Sequence, residues 1–305
     1  MDTIFQKQIK QNIPKIALGC MRISDMDNNA AQELIKTSLD LGINFFDHAD
    51  IYGGGNSEIV FSKAISSLGI KRDDLIIQSK AGIRNGFFDF SKEHIVNSVD
   101  EILKRLNTHY LDYFLLHRPD ALMEPEEVAE AFNKLEKEGK VLNFGVSNQN
   151  PMQIELLKTA VKQPIVFNQL QLSIMRTGMI DSGLNVNMKV DNSFDHDGSI
   201  LNYCQLNNIT VQAWSPFQYG FFEGVFLNND KFPELNRVID NIANKYGVTN
   251  SAIAIAWILR HPANIQTIIG TTNPKRVKDM SKATDFKLTR EEWYEIYRAA
   301  GNILP

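Results

Sequence analysis

Eight short apolar runs, each followed by a longer stretch with helical spacing, set the tightest limit on what this chain can fold into. The runs are Ile16–Leu18, Ile43–Phe46, Leu75–Gln78, Tyr113–Leu116, Phe144–Val146, Ile165–Gln169, Thr210–Ala213 and Thr267–Ile269. They are rich in Val, Ile and Phe and too short for buried helices, so they read as strands. Helices fit between them. Asn28–Leu41 carries Leu34, Ile35, Leu39 and Leu41 on one side, and Ser57–Ser67 follows the second strand. Ser91 reads as an N-cap for a helix through Ile95, Val99, Ile102, Leu103 and Leu106. Pro125 lies in the first turn of Glu124–Glu138, where no N–H is needed, and Gly139 ends that helix. Asn150-Pro151 opens the next one, to about Ala160.

Such alternation leaves two architectures, an open doubly wound sheet or a closed barrel. An open sheet that binds a dinucleotide carries G-x-G-x-x-G after its first strand. Here the first strand runs into Gly19-Cys20-Met21-Arg22, and Gly53-Gly54-Gly55 lacks the Lys-Ser/Thr pair of a P-loop. The α/β class with a (β/α)8 TIM barrel is therefore expected. With no linker in the chain, it is read as a single domain over residues 1–305.

Composition narrows the function classes. Lys+Arg total 32 and Asp+Glu 36, so 32 − 36 gives a net charge of −4, unlike the basic face of a nucleic-acid binder. At 43 % hydrophobic residues the chain can bury a large core, which excludes disorder. Two cysteines, Cys20 and Cys204, make no disulfide framework and suggest a reducing compartment. No Cys/His spacing suggests a metal site. The start MDTIFQKQIK has no apolar stretch of signal-peptide length, and the longest apolar run, Ala252–Leu259, is far short of a membrane span. A cytoplasmic protein without membrane attachment is expected.

In a barrel of this kind chemistry sits at the carboxyl ends of the strands. Reading outward gives Asp47, Lys80, His117, Ser147-Asn148, Gln169, Trp214-Ser215 and Gly270-Thr271. Asp47 and Lys80 end adjacent strands and can pair. Tyr52, five residues past Asp47, can lean back over Lys80. An ammonium beside a phenol favours the phenolate, so Lys80 is expected to lower the Tyr52 pKa from about 10. A phenol so tuned suits proton donation to a forming alkoxide, and His117 could hold the same oxygen. Each residue also has a plainer reading: a structural ion pair, a ring covering the rim, a buried histidine. Their register on strands two to four favours the site.

With these pieces in view the chain resembles the aldo-keto reductases, in a bacterial branch of predicted oxidoreductases. The matching segments are Ile43 to Gly53 (INFFDHADIYG), Ser79-Lys80-Ala81-Gly82, Tyr110 to Asp120 (YLDYFLLHRPD), Gly139-Lys140-Val141 leading to Gly145-Val146-Ser147-Asn148, Asn168-Gln169, Ala213-Trp214-Ser215-Pro216 and Ile269-Gly270-Thr271. The resemblance implies hydride transfer between NADP(H) and a small carbonyl or alcohol, with the cofactor extended across the barrel mouth. It implies Asp47, Tyr52, Lys80 and His117 as the catalytic set, Tyr52 being the general acid. Ser147, Asn148 and Gln169 match positions that hold the nicotinamide carboxamide, and Trp214 matches the ring that stacks on it. Thr271 and Arg276 match positions at the 2′-phosphate, although Gly270 and Asp279-Met280 depart from common family residues. Gly19, Met21, Asp47, Ser215, Phe217, Gly220 and Gly270 complete the implied cofactor-binding set.

The resemblance also carries an alternative, a cofactor-sensing regulatory barrel subunit with little turnover. Two segments exceed ordinary connections. Leu172–Asp197 reads equally as a lid or a tolerated insertion. Phe217–Lys231, with Phe217, Tyr219, Phe221, Phe222 and Phe226, reads as a pocket wall. Asp195-His196-Asp197 reads as a solvated loop rather than a metal cluster.

Overall fold

The computed structural model describes residues 1–304. An antiparallel hairpin, β1 (Thr3–Gln6) and β2 (Gln11–Pro14), precedes the barrel. The barrel strands are β3 (Ile16–Gly19), β4 (Phe45–Asp47), β5 (Ile76–Ala81), β6 (Leu111–Leu116), β7 (Val141–Ser147), β8 (Ile165–Gln171), β9 (Thr210–Trp214) and β10 (Gln266–Ile269). They are parallel and close in the order β10-β3-β4-β5-β6-β7-β8-β9. The helices are α1 (Asn28–Asp40), α2 (Asn56–Leu68), α3 (Lys92–Leu106), α4 (Pro125–Lys137), α5 (Pro151–Lys158), α6 (Gly178–Leu184), α7 (Ile200–Leu206), α8 (Pro233–Tyr246), α9 (Asn250–Leu259), α10 (Pro274–Ser281) and α11 (Arg290–Ala299). The closed (β/α)8 barrel expected from the alternation is the architecture found.

Local chemistry explains the helix ends. Asp27, Ser91, Asn150, Thr249, Asn273 and Thr289 each cap a helix by accepting from its first-turn N–H groups. The apolar run Ala252–Leu259 is α9, and seven consecutive residues from Ala252 to Ile258 are buried. A helix apolar all round is one packed on every side. No helix among the described residues is long and apolar enough to cross a membrane.

Strand alternation determines what fills the barrel. At the bottom, Phe45, Ile76, Tyr113 and Phe167 point inward and pack with Ile4 and Ile13 of the hairpin. Tyr113 meets Phe45 and Phe167 with ring centroids 5.5 and 4.7 Å apart, and its hydroxyl donates to Gln11 Oε1 at 2.8 Å. The hairpin thus plugs the floor, a role the chain pattern did not announce. Two residues further along the same strands come Asp47, Gln78 and Gln169. Two further still come Lys80 and, past the end of β6, His117. The intervening residues Phe46, Phe114 and Leu116 face the helices instead. Inward parity is therefore what delivers the polar set to the mouth.

Candidate active site

Tyr52 reaches the site through its own loop. It opens a tight turn over Tyr52–Gly55 in which Gly53, Gly54 and Gly55 all take left-handed φ, at 57°, 62° and 91°. A side chain at Gly53 would also put its Cβ 2.3 Å from Ser24 Cβ. Three successive left-handed residues are accessible mainly to glycine, so GGG after the tyrosine turns the chain straight from β4 into α2.

The Asp47–Lys80 pair expected from the sequence is present and fully buried. Lys80 Nζ lies 2.6 Å from Asp47 Oδ1 and donates also to the His48 carbonyl at 2.7 Å. Asp47 Oδ1 further accepts from Gln78 Nε2 at 2.6 Å and Gln169 Nε2 at 3.0 Å. The Lys80 ammonium stands 5.2 Å from the centre of the Tyr52 ring, as a tyrosine leaning over it requires. The Tyr52 and His117 rings meet edge to face at 6.0 Å.

The expected lowering of the Tyr52 pKa is not what the structure produces. Burial pushes the phenol well above its ordinary value, and the neighbouring Asp47 adds to the rise. The charge of Lys80 is engaged by Asp47 and the His48 carbonyl, so it does not offset the desolvation. Burial also pulls Lys80 below the usual lysine value while Asp47 holds it up. His117 is driven well below 6.5 by burial and by the charges of Lys80 and Arg118, so its ring is neutral. Its Nδ1 is buried without a hydrogen-bond partner.

Above this set opens a cleft of about 1230 Å³. Its lining includes Gly19, Met21, Asp47, Ser147, Asn148, Gln169, Trp214, Ser215, Phe217, Gly270, Thr271 and Arg276 with Tyr52 and His117. Lys80 lies beneath the lining. Gly220 does not border the cleft; it is buried and its carbonyl accepts from Gln171 Nε2 at 2.9 Å. The position matched by resemblance has turned inward to anchor the loop.

On the cleft wall Asn148 Nδ2 donates to Ser147 Oγ at 2.7 Å, and Asn148 Oδ1 accepts from Trp214 Nε1 at 3.3 Å. Gln169 differs from its expected role in one respect. Its Nε2 is spent on Asp47 and on Gln212 Oε1, leaving Oε1 as the atom that could meet a ligand. Past β10, α10 begins at Pro274 behind its cap Asn273, whose Oδ1 accepts from the N–H groups of Lys275 and Arg276. Thr271, Thr272 and Arg276 border the cleft there.

Of the aromatic loop, Phe217, Phe221 and Phe222 line the cleft, whereas Phe226 is buried core and Tyr219 packs on Phe232. The long 172–197 segment contributes nothing to the lining; it folds in part into α6. Asp195 spends its carboxylate on Ser199 Oγ and on the N–H groups of Asp197 and Ser199, a local turn. Cys20 is buried and off the lining.

Sequence reading passed over two features of the site. One is Arg118, next to His117, whose guanidinium borders the cleft over the rings of Trp214 and Phe221 at 5.5 and 5.6 Å. The other is the set Gln78, Gln212 and Gln266, which joins Gln169 in a buried amide network beneath Asp47. The signal was present: glutamines at inward positions of strands where barrel interiors usually carry branched apolar residues.

Comparison with known proteins agrees with this geometry. The sequence model described as the aldo/keto reductase family matches residues 15–300. The "Uncharacterized oxidoreductase YcsN" of Bacillus subtilis is 33 % identical over 93 % of this chain and 93 % of its own. The "6-dehydroglucose reductase" of Agrobacterium fabrum is 32 % identical over 95 % of each. A thermostable aldo-keto reductase, Tm1743, solved with the inhibitor epalrestat, superposes with a TM-score of 0.79 at 27 % identity, covering 98 % of this chain and 100 % of that one. An aldo/keto reductase from Klebsiella pneumoniae solved with NADP and acetate gives 0.77 at 25 % identity, covering 99 % and 96 %. A match across nearly the whole barrel, together with the Asp47–Lys80 pair beneath Tyr52 and His117, means that this chain belongs to the aldo/keto reductase family.

Proposed function

We propose that the protein is an NADPH-dependent carbonyl reductase in which Tyr52 gives a proton to the substrate oxygen. One observation carries this reading: the Tyr52 phenol and the His117 imidazole meet at the floor of a large cleft, directly above a buried Asp47–Lys80 pair. Such a floor can receive a carbonyl oxygen and supply the proton it needs, without a nucleophile.

The cleft suits a dinucleotide phosphate. It has a flat ring, Trp214, at the end of β9 and a hydroxyl beside an amide, Ser147 and Asn148, at the end of β7. The capped start of α10 and the forked donors of Arg276 stand beyond β10. Helix starts and guanidinium groups both favour phosphate. NADPH, when bound, supplies the hydride. Asn148 and Gln169 would orient its carboxamide, Trp214 would face its ring, and Thr271 and Arg276 would hold its 2′-phosphate. Since the Klebsiella neighbour was solved with NADP and the Agrobacterium relative is named for a sugar carbonyl, both halves of the reaction have precedent among similar proteins.

Tyr52 then works as a loaded acid. Its raised pKa keeps the proton on the phenol at neutral pH until an alkoxide, more basic still, forms beside it. The charges of Lys80 and Arg118 receive the phenolate left behind. His117, neutral, is placed to hydrogen-bond the same oxygen and orient it. A complete proton-donating set favours turnover over the alternative of a cofactor sensor.

Tyr52→Phe tests the proposal. NADPH binding, followed by Trp214 emission, should persist, while reduction of simple aldehydes falls by at least about 10²-fold, the usual contribution of general acid catalysis. Undiminished turnover would remove Tyr52 from the mechanism. Wild-type protein that binds NADPH tightly yet reduces no aldehyde would favour the sensor.

A further inference from the structure

The least explained charge in the cleft belongs to Arg118. It stands one residue past His117, at the mouth end of β6, and is half-buried. No carboxylate among the described residues comes within ion-pair distance of it. Its guanidinium instead lies over Trp214 and Phe221. Contacts of that kind stabilise a cation modestly, but they leave its charge uncompensated. Partly burying a guanidinium without a counter-ion is costly, and the usual remedy in proteins is an anion.

The chain does not hold that anion in reserve. The acidic residues that border the cleft are Asp47 and Asp279. Asp47 is occupied by Lys80, Gln78 and Gln169. Asp279 lies on α10, which follows β10. In the closed order β10-β3-β4-β5-β6 the strand that carries Arg118 is four steps of eight from β10, on the opposite wall. The same distance separates Arg118 from Arg276 and the start of α10, where the cofactor phosphates would sit. The proton-donating floor is beside Arg118, since Arg118 directly follows His117, whose ring meets that of Tyr52 at 6.0 Å. The missing anion therefore belongs on the molecule whose carbonyl faces Tyr52.

We propose that Arg118 is a specificity-determining residue and that the preferred substrates are aldehydes or ketones bearing a carboxylate. A planar fork held by stacking on Trp214 and Phe221 is suited to a bidentate carboxylate, with the rings excluding water around the pair. Phe221 and Phe222 would cover the carbon skeleton. This inference rests on the carbonyl-reductase reading above.

The test uses matched pairs: succinate semialdehyde against butanal, 4-carboxybenzaldehyde against benzaldehyde, and glucuronate against glucose, each with NADPH. The acid of at least one pair should exceed its neutral partner in kcat/KM by about 10- to 100-fold, the worth of a charge-assisted hydrogen bond. The difference should reside mostly in KM and shrink with added salt. Arg118→Met should bring the acid-to-neutral ratio to about one, and Arg118→Lys should restore part of it. Independently of turnover, benzoate should perturb Trp214 emission in the wild type, with an affinity weakened about 10-fold or more in Arg118→Met. Neutral aldehydes reduced as well as or better than their acids by the wild type would overturn the inference and leave the reductase reading intact. So would a ratio that Arg118→Met does not change. Failure of every carbonyl in the panel would overturn both.

Discussion

The ammonium of Lys80 sits beneath the ring of Tyr52, 5.2 Å from its centre, while the same nitrogen bonds Asp47 at 2.6 Å. On the proposed mechanism Lys80 receives the Tyr52 phenolate, yet its charge is already compensated by Asp47. Two functions are joined in one side chain, and they can be separated. Lys80→Met leaves Asp47 as a buried carboxylate without its cation, which should cost about 3–5 kcal/mol of stability as well as turnover. Asp47→Asn in the same chain removes the orphaned charge. The double variant should recover most of the lost stability by thermal unfolding yet remain deficient in reduction. Recovery of both together would mean that Lys80 serves structure alone.

The raised Tyr52 pKa and the lowered His117 pKa predict the pH profile of reduction. On the proposed mechanism reduction needs the Tyr52 phenol protonated, and that form persists until pH exceeds its raised pKa. His117 is neutral down to well below 6.5, so no acidic limb arises from its titration near that pH. The kcat profile for an aldehyde should be level from about pH 6 to 9, with decline only on the alkaline side. A limb centred near 6.5 that vanishes in His117→Gln would contradict the placement of a neutral imidazole.

Much of this arrangement was legible in the chain because a parallel barrel is a periodic object. The apolar runs marked the strands, and the polar residues after them marked the mouth. Asp47, Lys80, His117 and Trp214 were found that way. What escaped depends on distances that no local pattern encodes. Whether Lys80 lowers the Tyr52 pKa is decided by how much of its charge Asp47 and the His48 carbonyl consume and how deeply the phenol is buried. Gly220 was placed by resemblance, yet its carbonyl is claimed by Gln171. Arg118 was hidden by its neighbour: once His117 explained the motif, the charge beside it drew no question. The β1–β2 hairpin went unread because its segments, TIFQ and QNIP, are half polar and form no apolar run like those that marked the barrel strands.

Two groups near the site, the buried His48 and the half-buried Asp50, give opposite pH dependences of stability. His48 has neither ring nitrogen hydrogen-bonded, packs edge-on to Phe61 at 4.6 Å, and is pushed by burial down to about 3. A lowered folded pKa contributes stability above the unfolded value near 6.5, lost as pH falls toward 3. Asp50 is pushed up to about 7, first by burial and then by Glu58. A raised folded pKa contributes stability that is complete below the unfolded value near 4 and is lost as pH rises through 7. Between about pH 4 and 6.5 the two slopes oppose each other, so the wild-type Tm should vary little on their account. Asp50→Asn should expose a Tm that rises with pH, and His48→Leu one that falls. Parallel curves for both variants and the wild type would show that neither group titrates as placed.

The glutamine network beneath Asp47 yields the last prediction. Gln212 Nε2 donates to Gln78 Oε1 at 3.1 Å and to Gln266 Oε1 at 2.7 Å, while Gln212 Oε1 accepts from Gln78 and Gln169. Gln266 Nε2 continues to the Pro14 carbonyl at 2.7 Å, tying the network to the floor hairpin. All four amides are buried. Gln212→Leu fits the space but strips the donor from two buried carbonyl oxygens, each loss costing about 1–3 kcal/mol. Asp47 keeps its direct donors Gln78 and Gln169, though both lose a brace. The variant should therefore unfold several degrees lower, bind NADPH with nearly unchanged affinity, and reduce aldehydes with a kcat down several-fold and KM little moved. Gln212→Glu supplies no second donor and buries a charge above Gln266, so it should be worse on every count. Wild-type stability in Gln212→Leu would show that water replaces the amide and that Asp47 needs no such support.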